Sequence, residues 1–355
     1  MKLGVVTMSY PRHEGDPAGS FVAAHVEALR ALGHDVDVIA GGDASSGVVR
    51  IPSSLLDRGG APDLIERSPV RGALAGAVFT TRLTAALAVR ARRFDSIIAH
   101  WLVPSAVAAL PSRVPLLAIA HGGDIHTLRR MGLLAPVLHA LALRGARLAF
   151  VSEQLRSIAL EAAPRLTRWL AQAIVQPMGI AIDRFRSLER APADPPTILI
   201  ASRLVTLKGI DVAIAAMAHV RTRSRLVIAG DGPERAALSA RAGAAVTFLG
   251  QVEATRRDRL LGEAGVVVVP SRVMPSGRTE GTPMIALEAL AAGVPVVASA
   301  VGGLRELAAV SLVEPDDPRA LAAAIDHSLA NPPSAKRLQA AISHLDWARV
   351  AGRLS

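Results

Sequence analysis

Short β-branched runs alternate with longer helix-compatible stretches along this chain, and the alternation happens twice. That pattern belongs to parallel α/β units, because two parallel strands need a crossover connection that a helix usually supplies. The first set of runs is Leu3–Thr7, Asp35–Ala40, Ser96–Ala99, Leu116–Ala120 and Leu148–Val151. After the first run, the polar stretch from Ser9 to Gly19 reads as a loop. A helix is expected from about Ser20 to Leu32, closed by Gly33 at the position past its end, where a left-handed backbone favours glycine. A Pro-bearing stretch over 176–196 reads as a linker. The alternation then restarts with Thr197–Ala201, Leu226–Ala229, Val246–Leu249, Val266–Val269 and Val294–Ala298. The expected fold class is therefore α/β, with two Rossmann-like, doubly wound parallel-sheet domains over 1–175 and 197–340. The tail 341–355 is expected to hold a helix that crosses back to the first domain. Ligands of open parallel sheets bind at the carboxyl ends of the strands, so the expected site is a cleft across which the two domains face each other.

The chain has 355 residues and 51% hydrophobic content, enough to fill two cores. Cysteine is absent, which excludes disulfides, thiolate nucleophiles and Cys-ligated metals. The formal charge of +10 admits nucleic acid, an anionic membrane surface or phosphate-bearing substrates as partners. Aromatic residues make up only 3%, with a single Tyr, too few for base-stacking platforms, so no nucleic acid is expected. No apolar run of membrane-spanning length is expected, the longest candidate being Met131–Leu143. With no secretory leader pattern in the first residues, the expected location is cytoplasmic. The segment from Leu128 to Arg147 is apolar with Arg at both ends. It reads either as an interfacial helix at the inner face of an anionic membrane or as an ordinary core-facing helix. The second reading is favoured, because its apolar positions are too uniform for a clean amphipathic face.

The most informative stretch runs from Arg278 to Val297. Thr282 is expected to cap a helix whose first residue is Pro283 and which ends at Gly293. Glu280 and Gly281 then sit at a helix N-terminus, where free N–H groups favour an anion. Glu288 lies further inside, and the two glutamates read either as acceptors, Glu288 for ribose and Glu280 for hexose hydroxyls, or as ordinary carboxylates of a surface helix. Arg203 and Lys208 follow the first strand of the second domain, where they either clamp a departing nucleoside diphosphate or solvate a loop and cap a helix. Gly230–Glu234 and Leu249–Val252 end the next two strands, again at the carboxyl edge.

Together these motifs resemble the retaining GT-B-fold glycosyltransferases of the family-4 type. The resemblance is carried by Arg203 with Lys208-Gly, Gly230-Asp-Gly-Pro, Phe248-Leu-Gly, and Glu280-Gly-x-Pro followed by Glu288-Ala-x-Ala-x-Gly-x-Pro-Val. The first domain agrees through Ser9-Tyr-Pro, Gly19-Ser-Phe-Val, His100-Trp-x-x-Pro and His121-Gly-Gly-Asp124, and the tail through Val313-Glu-Pro-Asp-Asp-Pro. The resemblance spans nearly the whole chain and implies a GT-B fold with a nucleotide-diphosphate sugar as donor. Catalytic roles are implied for His121, Glu280, Arg203 and Lys208. Glu280 would contact the donor hexose and Glu288 the ribose, while Arg203 and Lys208 would hold the diphosphate. Gly250, Gln251 and Val252 would lie near the base, and Gly19 would approach the phosphates. Gly230, Gly281, Thr282, Pro283 and Met284 would complete the donor site, with His100 and Asp124 as acceptor-side candidates. The acceptor would be a glycan, a lipid-linked sugar or a small molecule. No cofactor and no metal are implied. One departure is Ala18-Gly19-Ser20, where the family commonly has a Gly-Gly pair.

Other signals carry less. Asp35-Val-Asp37 has the spacing of a metal motif, but it lies on a strand with no surrounding ligand set. His121 and His126 lack a partner set for zinc. His25 and Glu27 are expected on a solvated helix face. No nucleophile elbow, P-loop or dinucleotide fingerprint is present. Two other readings stay open: a nucleotide-sugar epimerase on the same fold, and a non-catalytic nucleotide-sugar-binding protein.

Overall fold

Strands such as Ile97–Ala99, Leu116–Ala120 and Val266–Val269 are buried on both faces, which suits a parallel sheet covered by helices on each side. The computed structural model describes residues 1–13, 15–16, 18–43, 47–53 and 68–355. These divide into two units, Met1–Gly179 with Trp347–Ser355, and Ile180–Asp346.

The first unit holds strands β1 (Lys2–Thr7), β2 (Asp35–Gly41), β3 (Val49–Ile51), β4 (Ser96–His100), β5 (Leu116–Ala120), β6 (Arg147–Phe150) and β7 (Ile174–Val175). They form one parallel sheet in the order β3-β2-β1-β4-β5-β6-β7. Its helices are α1 (Ser20–Ala31), α2 (Pro69–Arg90), α3 (Gly123–Arg130), α4 (Leu134–Leu143) and α5 (Glu153–Ala162). Helix α1 closes as expected, with Gly33 at φ 86°. Helix α4 turns Leu134, Leu138 and Leu141 inward, the spacing of an ordinary core-facing helix.

Helix α2 corrects the expectation that no apolar run reaches membrane-spanning length. Val70–Arg93 is long and apolar enough to cross a bilayer by length and composition, and only 22% of its most apolar 18-residue window is buried. Arg71 and Arg82 break the run in sequence, whereas in the helix their long side chains interrupt it only locally.

The second unit holds α6 (Ile182–Arg186), β8 (Thr197–Ala201), α7 (Ile210–Ala216), β9 (Arg225–Ala229), α8 (Arg235–Arg241), β10 (Val246–Gly250), α9 (Ala254–Glu263), β11 (Ala264–Val269), α10 (Met284–Ala291), β12 (Val296–Ser299), β13 (Val310–Val313), α11 (Pro318–Ala330) and α12 (Ala335–Ala341). The strand order is β10-β9-β8-β11-β12-β13, so each unit has the doubly wound topology. One apolar cluster packs α10 and α12 against the sheet, and another packs α7 and α11. Residues 180–196, read as linker, belong largely to this unit. Ile182 and Phe185 enter its core, and Arg190 Nη1 donates to the carbonyls of Leu261 and Gly262, each at 2.9 Å. Ile342 and Leu345 are in the same core. The chain then returns to the first unit as α13 (Trp347–Arg353), which packs on α1.

Candidate active site

In a parallel sheet all the carboxyl ends lie along one edge, so the loops after β8, β9, β10, β11 and β12 share that edge. Strand order reverses between β8 and β11, and the groups read as the diphosphate clamp and the first glutamate follow those two strands. They meet there. Lys208 Nζ lies 2.7 Å from Glu280 Oε1, with side chains only 17% and 11% exposed. The approach lacks hydrogen-bond geometry, and Glu280 Oε1 is buried with no hydrogen-bond donor. The carboxylate therefore neutralises the ammonium by charge while keeping acceptor capacity for a ligand hydroxyl.

The neighbouring loops are tied to one another. Leu204 N donates to Asp231 O and Glu234 N to Leu204 O, joining the Arg203 loop to the Gly230-Asp-Gly-Pro loop. Gly230 N donates to Gly250 O at 2.7 Å, bringing in the end of β10. Arg203 and Gln251 are exposed and Val252 half-buried. The loop of Glu280 and Gly281 rests on Gly302 and Gly303, which sequence reading did not single out. A Cβ at Gly302, whose φ is 54°, would sit 1.9 Å from Glu280 O. Gly303 N donates to Gly281 O at 3.0 Å.

The helix after this loop begins one residue later than expected. Met284 is its first residue, Pro283 occupies the N-cap position, and no side chain caps it. Thr282 is therefore corrected from cap to preceding loop, because the extended backbone of Pro283, at ψ 122°, keeps that residue outside the helix. Helix α10 is apolar on all sides and almost wholly buried, as a helix of that composition must be. Its one acid, Glu288, is 7% exposed. Burial pushes the Glu288 carboxyl above its ordinary range, the Arg257 guanidinium pulls it down, and Asp258 pushes it up again. Arg257 Nη2 lies 3.3 Å from Glu288 Oε1 and 3.8 Å from Asp258 Oδ1, and Arg184 Nη2 lies 2.7 Å from Asp258 Oδ2. Arg257 thus holds the second glutamate. It was missed in the sequence because one Arg on a polar helix cannot be told there from its solvated neighbours.

The first unit gathers its groups at its own reversal, between β1 and β4. Gly19 stands at the N-terminus of α1 with φ 69°, and a Cβ there would lie 2.3 Å from Ser9 O. Positions 14 and 17 of the loop from Ser9 to Gly19 lie outside the described residues. Asp16 braces this loop by accepting from Arg12 Nε at 2.7 Å and from the backbone N–H groups of Arg12 and Ala18. Burial raises the Asp16 carboxyl, but these donors and the Arg12 charge bring it below the ordinary range.

His100 ends β4 and His121 follows β5. Three imidazoles run in series: His25 Nδ1 to His100 Nε2 at 3.1 Å, and His100 Nδ1 to His121 Nε2 at 3.0 Å. Three expectations are corrected here. His25 is not on a solvated face but 0% exposed. Its signal was present, since Val22, His25, Val26 and Leu29 fall on one buried face of α1. His100 is also 0% exposed with both nitrogens spent on other histidines, so it cannot face an acceptor. Asp124, expected on the acceptor side, is 4% exposed and turned inward. Its Oδ2 accepts from Leu102 N at 2.7 Å, and its Oδ1 from His121, Gly122 and Ile125 N. Burial raises its carboxyl while these backbone donors oppose the shift, and its role is to fold the loop that carries His121.

Among these groups only His121 keeps an open side. It is half-buried, with Trp101 at 4.9 Å and Phe21 at 5.1 Å between ring centroids. Trp101 has φ 72°, a strained value for a bulky residue of the kind that marks functional sites. The Asp35 and Asp37 carboxylates lie 3.2 and 3.7 Å from Lys2 Nζ. Among the described residues no group of three or more His, Asp or Glu is arranged to hold a metal ion.

Comparison with known proteins gives this geometry its context. Residues 195–331 match the family described as glycosyl transferases group 1, and residues 18–171 match the glycosyl transferase 4-like domain. A glycogen synthase of Mycobacterium tuberculosis is 32% identical over 74% of this chain and 68% of its own length. A Bacillus subtilis protein, provisionally named the teichuronic acid biosynthesis glycosyltransferase TuaC, is 29% identical over 92% of this chain and 88% of its own. Anabaena HepE, solved in complex with UDP-glucose, superposes with a TM-score of 0.73 at 19% identity, covering 100% of this chain and 98% of that one. The chain belongs to the group 1 and 4-like glycosyl transferases and has the GT-B fold.

Proposed function

We propose that the chain transfers a hexose or N-acetylhexosamine from a nucleoside-diphosphate sugar to a hydroxyl of a glycan or lipid-linked acceptor, with retention at the anomeric carbon. The observation that carries this reading is the Lys208–Glu280 pair at the reversal of the second sheet, with Glu288 held by Arg257 within the following helix. HepE, a structural neighbour, binds UDP-glucose, which supports this class of donor.

In the proposed reaction the bond from the anomeric carbon to the diphosphate oxygen breaks while the acceptor hydroxyl bonds to the same carbon from the same face. The hydroxyl proton passes to the departing phosphate oxygen, so no protein nucleophile is required. Lys208 and Arg203 stabilise the negative charge that grows on the leaving group. Glu280 orients the hexose through its hydroxyls, Glu288 accepts from the ribose, and Gly250, Gln251 and Val252 border the base. The N-terminus of α1 at Gly19 offers N–H groups to phosphate, and His121 hydrogen-bonds donor oxygens. The reading needs neither metal nor cofactor and places the enzyme in the cytoplasm. Contact with an anionic membrane, where a lipid-linked acceptor would reside, is assigned to the exposed face of α2.

A panel of UDP-, GDP- and ADP-sugars tests the donor, because a true donor raises the melting temperature by mass action. With that donor and an acceptor, Lys208→Ala and Glu280→Gln should each lower kcat by about 10²–10³, the usual effect of removing one transition-state contact. Full transfer by both variants would refute the assignment. Conversion of the donor without any acceptor would point to an epimerase, and binding without turnover on any acceptor to a binding protein.

A further inference from the structure

The three histidines of the first unit do more than fill space. A neutral imidazole carries one N–H and one bare nitrogen, and each N···N contact in the series needs one of each. His100 uses both of its nitrogens in such contacts. Its tautomer therefore dictates those of both neighbours, and the three rings can adopt only two proton orders. In one, every ring carries its proton on Nδ1; in the other, every ring carries it on Nε2. A mixed arrangement sets two lone pairs or two protons against each other.

The closed end of the series selects between the two orders. His25 Nε2 is buried with no hydrogen-bond partner. The plane of the His25 ring is covered by Trp347, stacked at 5.2 Å between centroids and 11° from parallel. An N–H there would be an orphaned buried donor, the rarest kind of unsatisfied group, whereas a lone pair is tolerated better. The open end is His121 Nδ1, which makes no hydrogen bond within the described residues and belongs to a ring that is only half-buried. Burial keeps all three rings uncharged, His25 and His121 being pushed down to about 3 and His100 well below its ordinary value. The rings are joined in series, and among the described residues no three such side chains are arranged to hold a metal ion.

We propose that His25 and His100 are positioning residues, which hold His121 in its Nδ1–H form so that it meets its ligand as a hydrogen-bond donor to oxygen. A buried residue on α1, with no ligand contact of its own, thereby sets the donor character of a group two rings away. Only the identity of that ligand oxygen, on a sugar or a phosphate, rests on the function proposed above; the proton order does not.

Long-range ¹H–¹⁵N correlation spectra of the imidazoles in the full-length, ¹⁵N-labelled protein decide the matter without any substrate, with each ring assigned by single substitution. The expected result is the Nδ1–H pattern at residues 25, 100 and 121. This is informative because free histidine prefers Nε2–H. In His25→Leu the order should be lost, with His121 turning to a mixture of tautomers although it does not touch residue 25. His25→Asn should preserve the order, since the Asn amide nitrogen replaces Nδ1 as donor. Once a donor sugar is known, kcat/KM should fall about tenfold in His25→Leu, the worth of one misdirected hydrogen bond, with most of it recovered in His25→Asn. An Nε2–H pattern at His121 in the native protein overturns the inference. So does a His121 spectrum that His25→Leu leaves unchanged. If His25→Leu fails to fold, the native spectrum alone still decides.

Discussion

Burying three neutral imidazoles in one series has a thermodynamic consequence. In the unfolded chain each takes up a proton as the pH falls below about 6.5, the ordinary histidine value. In the folded protein His25 and His121 resist protonation down to about 3, and His100 is shifted in the same direction. The unfolded state then binds more protons throughout that window, so stability falls as the solution is acidified through it. The slope reaches about 1.4 kcal/mol per pH unit for each histidine, or about 4 for the three together. Urea midpoints measured from about pH 7 to about pH 4.5 should show this decline, and His25→Asn should lose about one proton's share of the slope. At this scale the sequence was only partly legible. Lys208, Glu280 and Glu288 stood in a recognisable pattern, and the structure joins the first two. His25 escaped because a histidine was weighed by its polarity instead of by its place beside Val22, Val26 and Leu29. Asp124 was misread because the backbone N–H groups that satisfy it come partly from the segment after β4 and the loop after β5, which no sequence pattern could bring together.

Among the described elements, α2 presents several large apolar side chains to solvent. Val70, Leu74, Val78 and Val89 are 81%, 67%, 44% and 74% exposed, an apolar stripe at helical spacing along its outer side. The helix contains no acidic residue, while Arg71 and Arg82 lie beside the stripe and Arg92 and Arg93 follow it. Apolar area flanked by cations binds best to a surface that is apolar inside and anionic outside. In flotation assays the protein should rise with vesicles containing anionic phospholipid and not with neutral ones, and Leu74→Glu with Val78→Glu should abolish the rise. Equal recovery of that double variant would remove α2 from consideration. The longer central strands were readable from their β-branched runs. The short edge strands β3 and β7 were not, because two or three residues carry no periodicity. Helix α2 was overlooked for the opposite reason, since scattered Ala, Gly and Thr dilute its apolar face in the linear sequence.

At the scale of the whole molecule, the doubled α/β architecture was legible because two separate series of parallel-strand signals are hard to produce otherwise. The division between the units was less so. Residues 180–196 look like connecting chain, yet they pack into the second core, and only Trp347 onward returns to the first unit. That return is well anchored. Trp347 is 6% exposed and Val350, Ala351 and Leu354 are 0% exposed. The second unit's two ends meet, with Ile180 N donating to Leu345 O at 2.9 Å and Ile180 bridging Asp346. In genetic terms, the second unit is a cassette set into its host at one address, with entry and exit side by side. Residues 180–346 expressed alone should unfold in a single cooperative transition and, on the function proposed above, gain melting temperature from the same nucleoside diphosphate as the intact protein. Exchanging that one continuous segment between relatives should therefore exchange donor preference while leaving the host fold in place.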